Sequence, residues 1–148
     1  MFKSLLEREW IILLLWVLLG WLGANERVSS KKFENYISSS SYAPDPGLAA
    51  LIGNSPVVVL LVNMVVFVIL LQVYKIFYYI FSKEQISKTK KIILFSTFII
   101  FLLLTCIISI ENLFEMLTWG FYISASQSII WLLFSILLTH QFWKLINN

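Results

Sequence analysis

The sequence predicts an all-α integral membrane fold, a small bundle of four transmembrane helices with both termini on the cytoplasmic side. Three observations predict it. Residues 56–81, PVVVLLVNMVVFVILLQVYKIFYYIF, carry no charge before Lys75. A helix rising about 1.5 Å per residue needs an apolar run of at least about 18 residues to cross about 30 Å of hydrocarbon. Across 148 residues, 59% are hydrophobic and 13% charged, against about 45–50% and 25% in soluble domains, so there is too little charge to coat a globule. The runs are also apolar on every face. Barrel strands alternate apolar and polar residues over about ten positions, so helices that satisfy their own backbone groups are the remaining solution. The length fits one domain, residues 1–148.

The first span is expected over residues 5–24. Its apolar core, WIILLLWVLLGWLGA, is short at about 15 residues, between a full span and a signal-peptide core. Lys3 ahead of it and Gly23-Ala24 behind it suit a cleavage reading. Glu7, Glu9 and bulky Leu22 oppose that reading and favour a retained signal anchor. Trp10 and Trp21 are expected near opposite interfaces, where indole rings are favoured.

Residues 25–55 form the long polar segment, read as an external Ser-rich loop. Arg27, Lys31 and Lys32 cancel Glu26, Glu34 and Asp45, and Pro44-Asp45-Pro46-Gly47 is turn chemistry. Phe33, Tyr36 and Ile37, at i, i+3 and i+4, predict a short helix lying on the membrane surface. Ser38 to Ser41 read as linker in preference to a binding loop. Residues 47–53, GLAALIG, are too short to cross and are expected to dip into the interface or pack at the bundle mouth.

The second span, residues 56–81, has a defined start. Ser55 can cap, and Pro56 suits the first helical position because its missing N–H would be unpaired there anyway. At about 39 Å this helix exceeds the hydrocarbon layer and must tilt or project, with Tyr74, Phe77, Tyr78, Tyr79 and Phe81 at its emerging end. Asn63 and Gln72 fall on opposite sides of it, so at least one is expected to hydrogen-bond a neighbouring helix, a contact of about 0.6–2 kcal/mol in lipid. Asn63 is assigned to packing in preference to a permeation path.

Residues 82–91, SKEQISKTKK, set Lys83, Lys88, Lys90 and Lys91 against Glu84. The positive-inside rule makes this loop cytoplasmic and places eight Lys and Arg inside against three outside. The four lysines serve either topology and anionic lipid or docking of an acidic soluble partner.

The third span is expected over 92–110, an external turn over 111–116, and the fourth span over 117–146. Thr97, Thr105 and Ser109 lie on one i+4 line, and Ser124, Ser128, Trp131 and Ser135 share a face of the last helix. These stripes are expected to meet as a packing seam, because small residues let helix backbones approach closely in lipid. A pore lining is the alternative. Glu111 and Glu115 read as exposed turn residues, or as an acidic ring at the outer mouth of an oligomeric channel. His140, Trp143 and Lys144 close the last helix at the inner interface.

Chemistry is sparse. One His (His140), one Asp (Asp45) and one Cys (Cys106) are present, without a HExxH, GxSxG, P-loop or CxxC pattern, so no catalysis, cofactor or metal site is expected. The net charge of +3 sits beside hydrophobic spans, which favours a membrane over nucleic acid. The mid-span regions lack ionisable residues, which disfavours proton-coupled transport. Three functional classes remain. The first is a homo-oligomeric sensor or anchor subunit of a bacterial inner membrane that recruits or regulates a cytosolic effector; phage-defence systems offer an architectural analogy. The second is an immunity-type protein that blocks a pore-forming toxin in the bilayer. The third is an oligomeric ion channel.

Overall fold

The structure, a computed structural model, describes residues 3–39, 54–82 and 86–147. The described residues form five helices and no strand: α1 (Lys3–Ser29), α2 (Phe33–Ser39), α3 (Pro56–Ser82), α4 (Lys88–Trp119) and α5 (Tyr122–Asn147). All except α2 are long and apolar enough to cross a membrane. The expected turn at 44–47, the apolar segment 47–53, and Lys83 with Glu84 lie outside the described residues.

Helix α1 runs further than the sequence reading proposed. Residues 25–29, expected in the loop, are helical, because nothing between Asn25 and Ser29 is a Gly or Pro able to stop the helix. It closes in a turn in which the Ser30 N–H donates to the Arg27 carbonyl at 3.1 Å. Trp10 and Trp21 are both exposed on this helix. They are only about 16 Å apart along it, half the hydrocarbon depth, so they cannot mark opposite interfaces as expected.

Helix α3 begins at Pro56, and the Ser55 carbonyl accepts from the Val59 N–H at 2.9 Å. Helix α4 starts after Ser87, whose hydroxyl accepts from the Lys90 N–H at 3.4 Å. The turn expected at 111–116 is corrected here: α4 continues to Trp119. Glu111, Asn112 and Glu115 are polar but compatible with a helix, and polarity alone does not reverse a chain. Gly120 does, at φ 75°, a left-handed conformation that costs glycine little. Its N–H donates to the Leu117 carbonyl and the Phe121 N–H to the Met116 carbonyl, the two bonds of a Schellman motif. Met116 and Phe121 supply the accompanying apolar contact.

Helix α5 is the centre of the bundle. Antiparallel α1 and α4 both pack closely against it; α3 packs mainly on α1 and meets α5 through Tyr74, Phe77 and Phe81, whose rings lie against Phe142. One end is closed by rings. Phe77 and Phe81 of α3, Phe98 of α4 and Phe142 of α5 stand with centroids 5.0–6.1 Å apart, contacts each worth about 0.5–1.5 kcal/mol beyond their burial. This is the lysine end, where α3 ends at Ser82 and α4 begins at Lys88; the opposite end, at Gly120, is the loop end. Apolar side chains such as Val57, Leu61 and Val65 on α3 and Ile93 and Ile108 on α4 are more than half exposed.

Candidate functional site

Charge is handled differently at the two ends of the bundle. At the loop end the last turn of α1 reaches the first turn of α5. Glu26 Oε2 accepts from the backbone N–H groups of Ile123 (3.0 Å) and Ser124 (3.2 Å). Those donors have no partner within their own helix, and a carboxylate is favoured beside the positive end of the helix dipole. Arg27 lies alongside. Its Nη1 donates to Ser124 Oγ at 2.7 Å and its Nε to Asn54 Oδ1 at 3.0 Å, joining α1, α5 and the approach to α3. Lys32 Nζ donates to the Trp119 carbonyl at 3.5 Å, placing a cation at the negative end of α4.

This junction depends on a close helix approach. Ser124 is 1% exposed and Ala24 0%, and a Cβ added to Gly23 would lie 2.9 Å from the Ser124 Cα. Glycine is required there because the obstacle is backbone, which cannot swing away. Over this junction α2 presents Tyr36, edge-on to Trp119 (5.7 Å) and Phe121 (5.5 Å). Burial raises the Tyr36 pKa above the ordinary tyrosine value; Glu115 raises it further and Arg27 opposes.

Polar side chains also meet nearer mid-bundle. Asn63 is 8% exposed, and its amide nitrogen is buried without a hydrogen-bond partner among the described residues. Its amide and that of Gln127 both crowd Gly20 of α1. The hydrogen bond to a neighbouring helix expected of Asn63 is not formed by its Nδ2 among the described residues. Gln72 is exposed. Asn112 Nδ2 donates to Ser128 Oγ at 2.8 Å, and with Ser109, Gln127 and Trp131 they line a pocket of about 160 Å³.

The expected seam divides. Ser124 faces α1, while Ser128 faces α4. Ser135 is buried, with its hydroxyl bonded to the Trp131 carbonyl of its own helix, and Thr105 bonds to the Leu102 carbonyl in the same way. Thr97 does not join the seam. It is exposed, bonds to the Ile93 carbonyl, and lines an apolar groove between α3 and α4. Glu111 and Glu115 are exposed on the continuous helix α4 rather than in a turn. Cys106 and His140 border a cleft of about 390 Å³ between α4 and α5. Among the described residues, no three His, Cys, Asp or Glu side chains form a metal-binding group.

The lysine end has the opposite electrostatics. Lys88, Lys90 and Lys91 occupy the first turn of α4, which contains no acidic residue. Lys88 and Lys90 are exposed and Lys91 half-buried; Lys75 and Lys144 are exposed nearby. Cations at a helix N-terminus oppose its dipole, each by about 0.3–1 kcal/mol. These lysines therefore do not stabilise the helix that carries them.

Reading the sequence alone missed Glu26, Arg27, Gly20 and Gly23 as a unit. A signal was present in Gly20-x-x-x-Ala24, a small-residue spacing typical of close helix contacts. The pairing of Glu26 and Arg27 with Ser124 had none, because 97–98 residues separate the partners. No known protein family matches the chain, and no characterised protein or solved structure is significantly similar to it.

Proposed function

We propose that the chain is a non-catalytic membrane subunit, inserted with both termini in the cytoplasm, that anchors or regulates an acidic cytosolic partner at its lysine end. The contrast in charge use carries this reading. Arg27 and Lys32, two of the three basic residues on the loop side, are engaged in structural bonds. Lys75, Lys88, Lys90 and Lys144 are presented outward at the other end. Basic residues beside hydrophobic spans orient toward the cytoplasm, so the exposed set faces the compartment in which soluble effectors are found. The lysines of α4 stand where they weaken their own helix, which supports a role outside the bundle. The exposed apolar faces of α3 and α4 suit lipid or further copies of the chain, and a bacterial inner membrane fits the orientation.

The test is capture of partners from native membranes in mild detergent, with the Lys88→Glu/Lys90→Glu/Lys91→Glu variant alongside the natural chain. A cytosolic protein recovered with the natural chain and lost with the variant is expected. Recovery unchanged by charge reversal overturns the docking role of these lysines.

A further inference from the structure

We infer that the pocket between α1 and α4, against α5, is a binding site for a small uncharged group rich in hydroxyls, of the kind presented by glycerol itself or by the head of a monoacylglycerol. This goes beyond the partner at the lysine end and does not depend on it.

The site is built where three helices leave a gap. Both α1 and α4 pack on α5, but they do not pack on each other along their lengths. Between them remain about 160 Å³, lined by Trp16 of α1, Ser109 and Asn112 of α4, and Gln127, Ser128 and Trp131 of α5. At about 30 Å³ per water molecule this is room for roughly five waters, or one small polyol. Asn112 stands seven residues before the end of α4 and Ser128 six after the start of α5, which puts the pocket about 10 Å inside the loop end. Ile108, also in its wall, is 65% exposed. The pocket therefore meets the apolar outer surface of the bundle.

The walls carry unused hydrogen-bonding capacity. Among the described residues, the bond that joins lining side chains runs from Asn112 Nδ2 to Ser128 Oγ at 2.8 Å. It leaves the Asn112 amide oxygen and the Ser128 hydroxyl proton for an occupant, with the Ser109 hydroxyl and the Gln127 amide beside them. Trp131 supplies an independent sign. It is 8% exposed, and its indole N–H is buried without a partner among the described residues. Trp131 borders two spaces, this pocket and the groove between α3 and α4. The groove is apolar apart from Thr97, whose hydroxyl bonds to the Ile93 carbonyl, so polar company for the indole lies on the pocket side.

These walls select the ligand. Among the described residues no charged side chain lines the pocket, and a charge taken from water needs a partner, so the occupant is uncharged. The walls offer donors and acceptors together. A hydroxyl gives and accepts at one atom, which suits so small a space, whereas a carbonyl only accepts. Trp16 and Trp131, with ring centroids 5.5 Å apart, add apolar surface for the C–H groups of a polyol. An acyl chain attached to it can leave past Ile108, so the same head fits whether it arrives free or on a lipid.

The test uses the full-length chain in a polyoxyethylene detergent, whose heads carry few hydroxyls. Glycerol is followed by saturation-transfer NMR, and monoolein is compared with methyl oleate and oleamide by native mass spectrometry. Monoolein is expected to bind about tenfold more tightly than methyl oleate, since two hydroxyls are gained. Gln127→Leu and Ser109→Val should each weaken binding of the polyol head about fivefold, and Trp131→Phe, which keeps a ring but loses the N–H, about threefold. Ser96→Ala, an exposed hydroxyl elsewhere on α4, should change nothing. Should Gln127→Leu not fold, Ser109→Val and Trp131→Phe carry the test. A response to glycerol alone supports the site with a free solute, and a response to monoolein alone supports it with a lipid. Equal binding of monoolein and methyl oleate overturns the inference, as does tighter binding of oleamide than of monoolein. Binding indifferent to Gln127→Leu and Ser109→Val, or no binding of either polyol probe, overturns it also.

Discussion

The loop end and the lysine end hold the same helices together by different physics. At the loop end, Glu26 supplements the amides that begin α5, Lys32 meets a carbonyl that ends α4, and Arg27 bridges to Ser124 and Asn54. Every one of these charges acts with a helix terminus or a buried polar group. At the lysine end the bundle closes on the rings of Phe77, Phe81, Phe98 and Phe142, and Lys88, Lys90 and Lys91 act against the start of α4, whereas Lys144 stands in the last turn of α5, where a cation is favoured. The difference teaches how to sort charged residues in a chain this apolar. Those that satisfy the fold meet a helix end or a buried polar group, Lys32 doing so while exposed, and those that oppose the fold are available for something beyond it.

That comparison can be broken in four places, and the largest effect is expected at the rings. Phe142 is 1% exposed, and Phe142→Ala should destabilise the chain by about 3–5 kcal/mol through the cavity it leaves, measured by unfolding in mixed micelles. The loss should be insensitive to salt. Arg27→Met should cost about 2 kcal/mol, since it removes charge-assisted bonds to Ser124 and Asn54 and leaves Glu26 without its neighbour. A change below about 0.5 kcal/mol would mean that the loop-end network is ornamental.

Neutralising Lys88, Lys90 and Lys91 to Gln should leave stability within about 0.5 kcal/mol or raise it slightly, because an unfavourable dipole interaction is removed. Marked destabilisation would place these lysines in the fold and erase the distinction between the ends. The smallest effect concerns Tyr36. Its pKa is raised in the folded chain, so its contribution is fully present below the ordinary tyrosine value of about 10 and is lost as pH rises through the higher folded value. The stability difference between the natural chain and Tyr36→Phe should therefore shrink only in that alkaline range. A difference that is flat from pH 8 to 11 would show that Tyr36 is not held away from water.

Much of the architecture was legible in the residues themselves. Pro56 after Ser55 marks the start of α3, and the long apolar runs yield the four helices capable of crossing a membrane. Where the reading erred, it treated polarity as a stop signal. Glu26 and Arg27 were assigned to a loop, and Glu111, Asn112 and Glu115 to a turn, although a helix tolerates all of them and only Gly120 reverses the chain. The i+4 stripe that contains Thr97 was a sound statement about one helix face. It could not reveal that Thr97 lines a groove while Ser124 and Ser128 turn to different neighbours.

The sequence by itself determined what depends on near neighbours: helix existence, the start of α3 at Ser55-Pro56, and the excess of lysine around residues 82–91. Hydrophobic length and capping chemistry act over a few residues, so they can be read along the chain. Only the tertiary structure decided that α5 is central, that α3 and α4 leave a groove, and that Glu26 and Arg27 serve a helix that begins almost 100 residues later. Those outcomes depend on which backbones approach most closely. Gly23 against Ser124 sets that for α1 and α5, and no local pattern specifies the far partner.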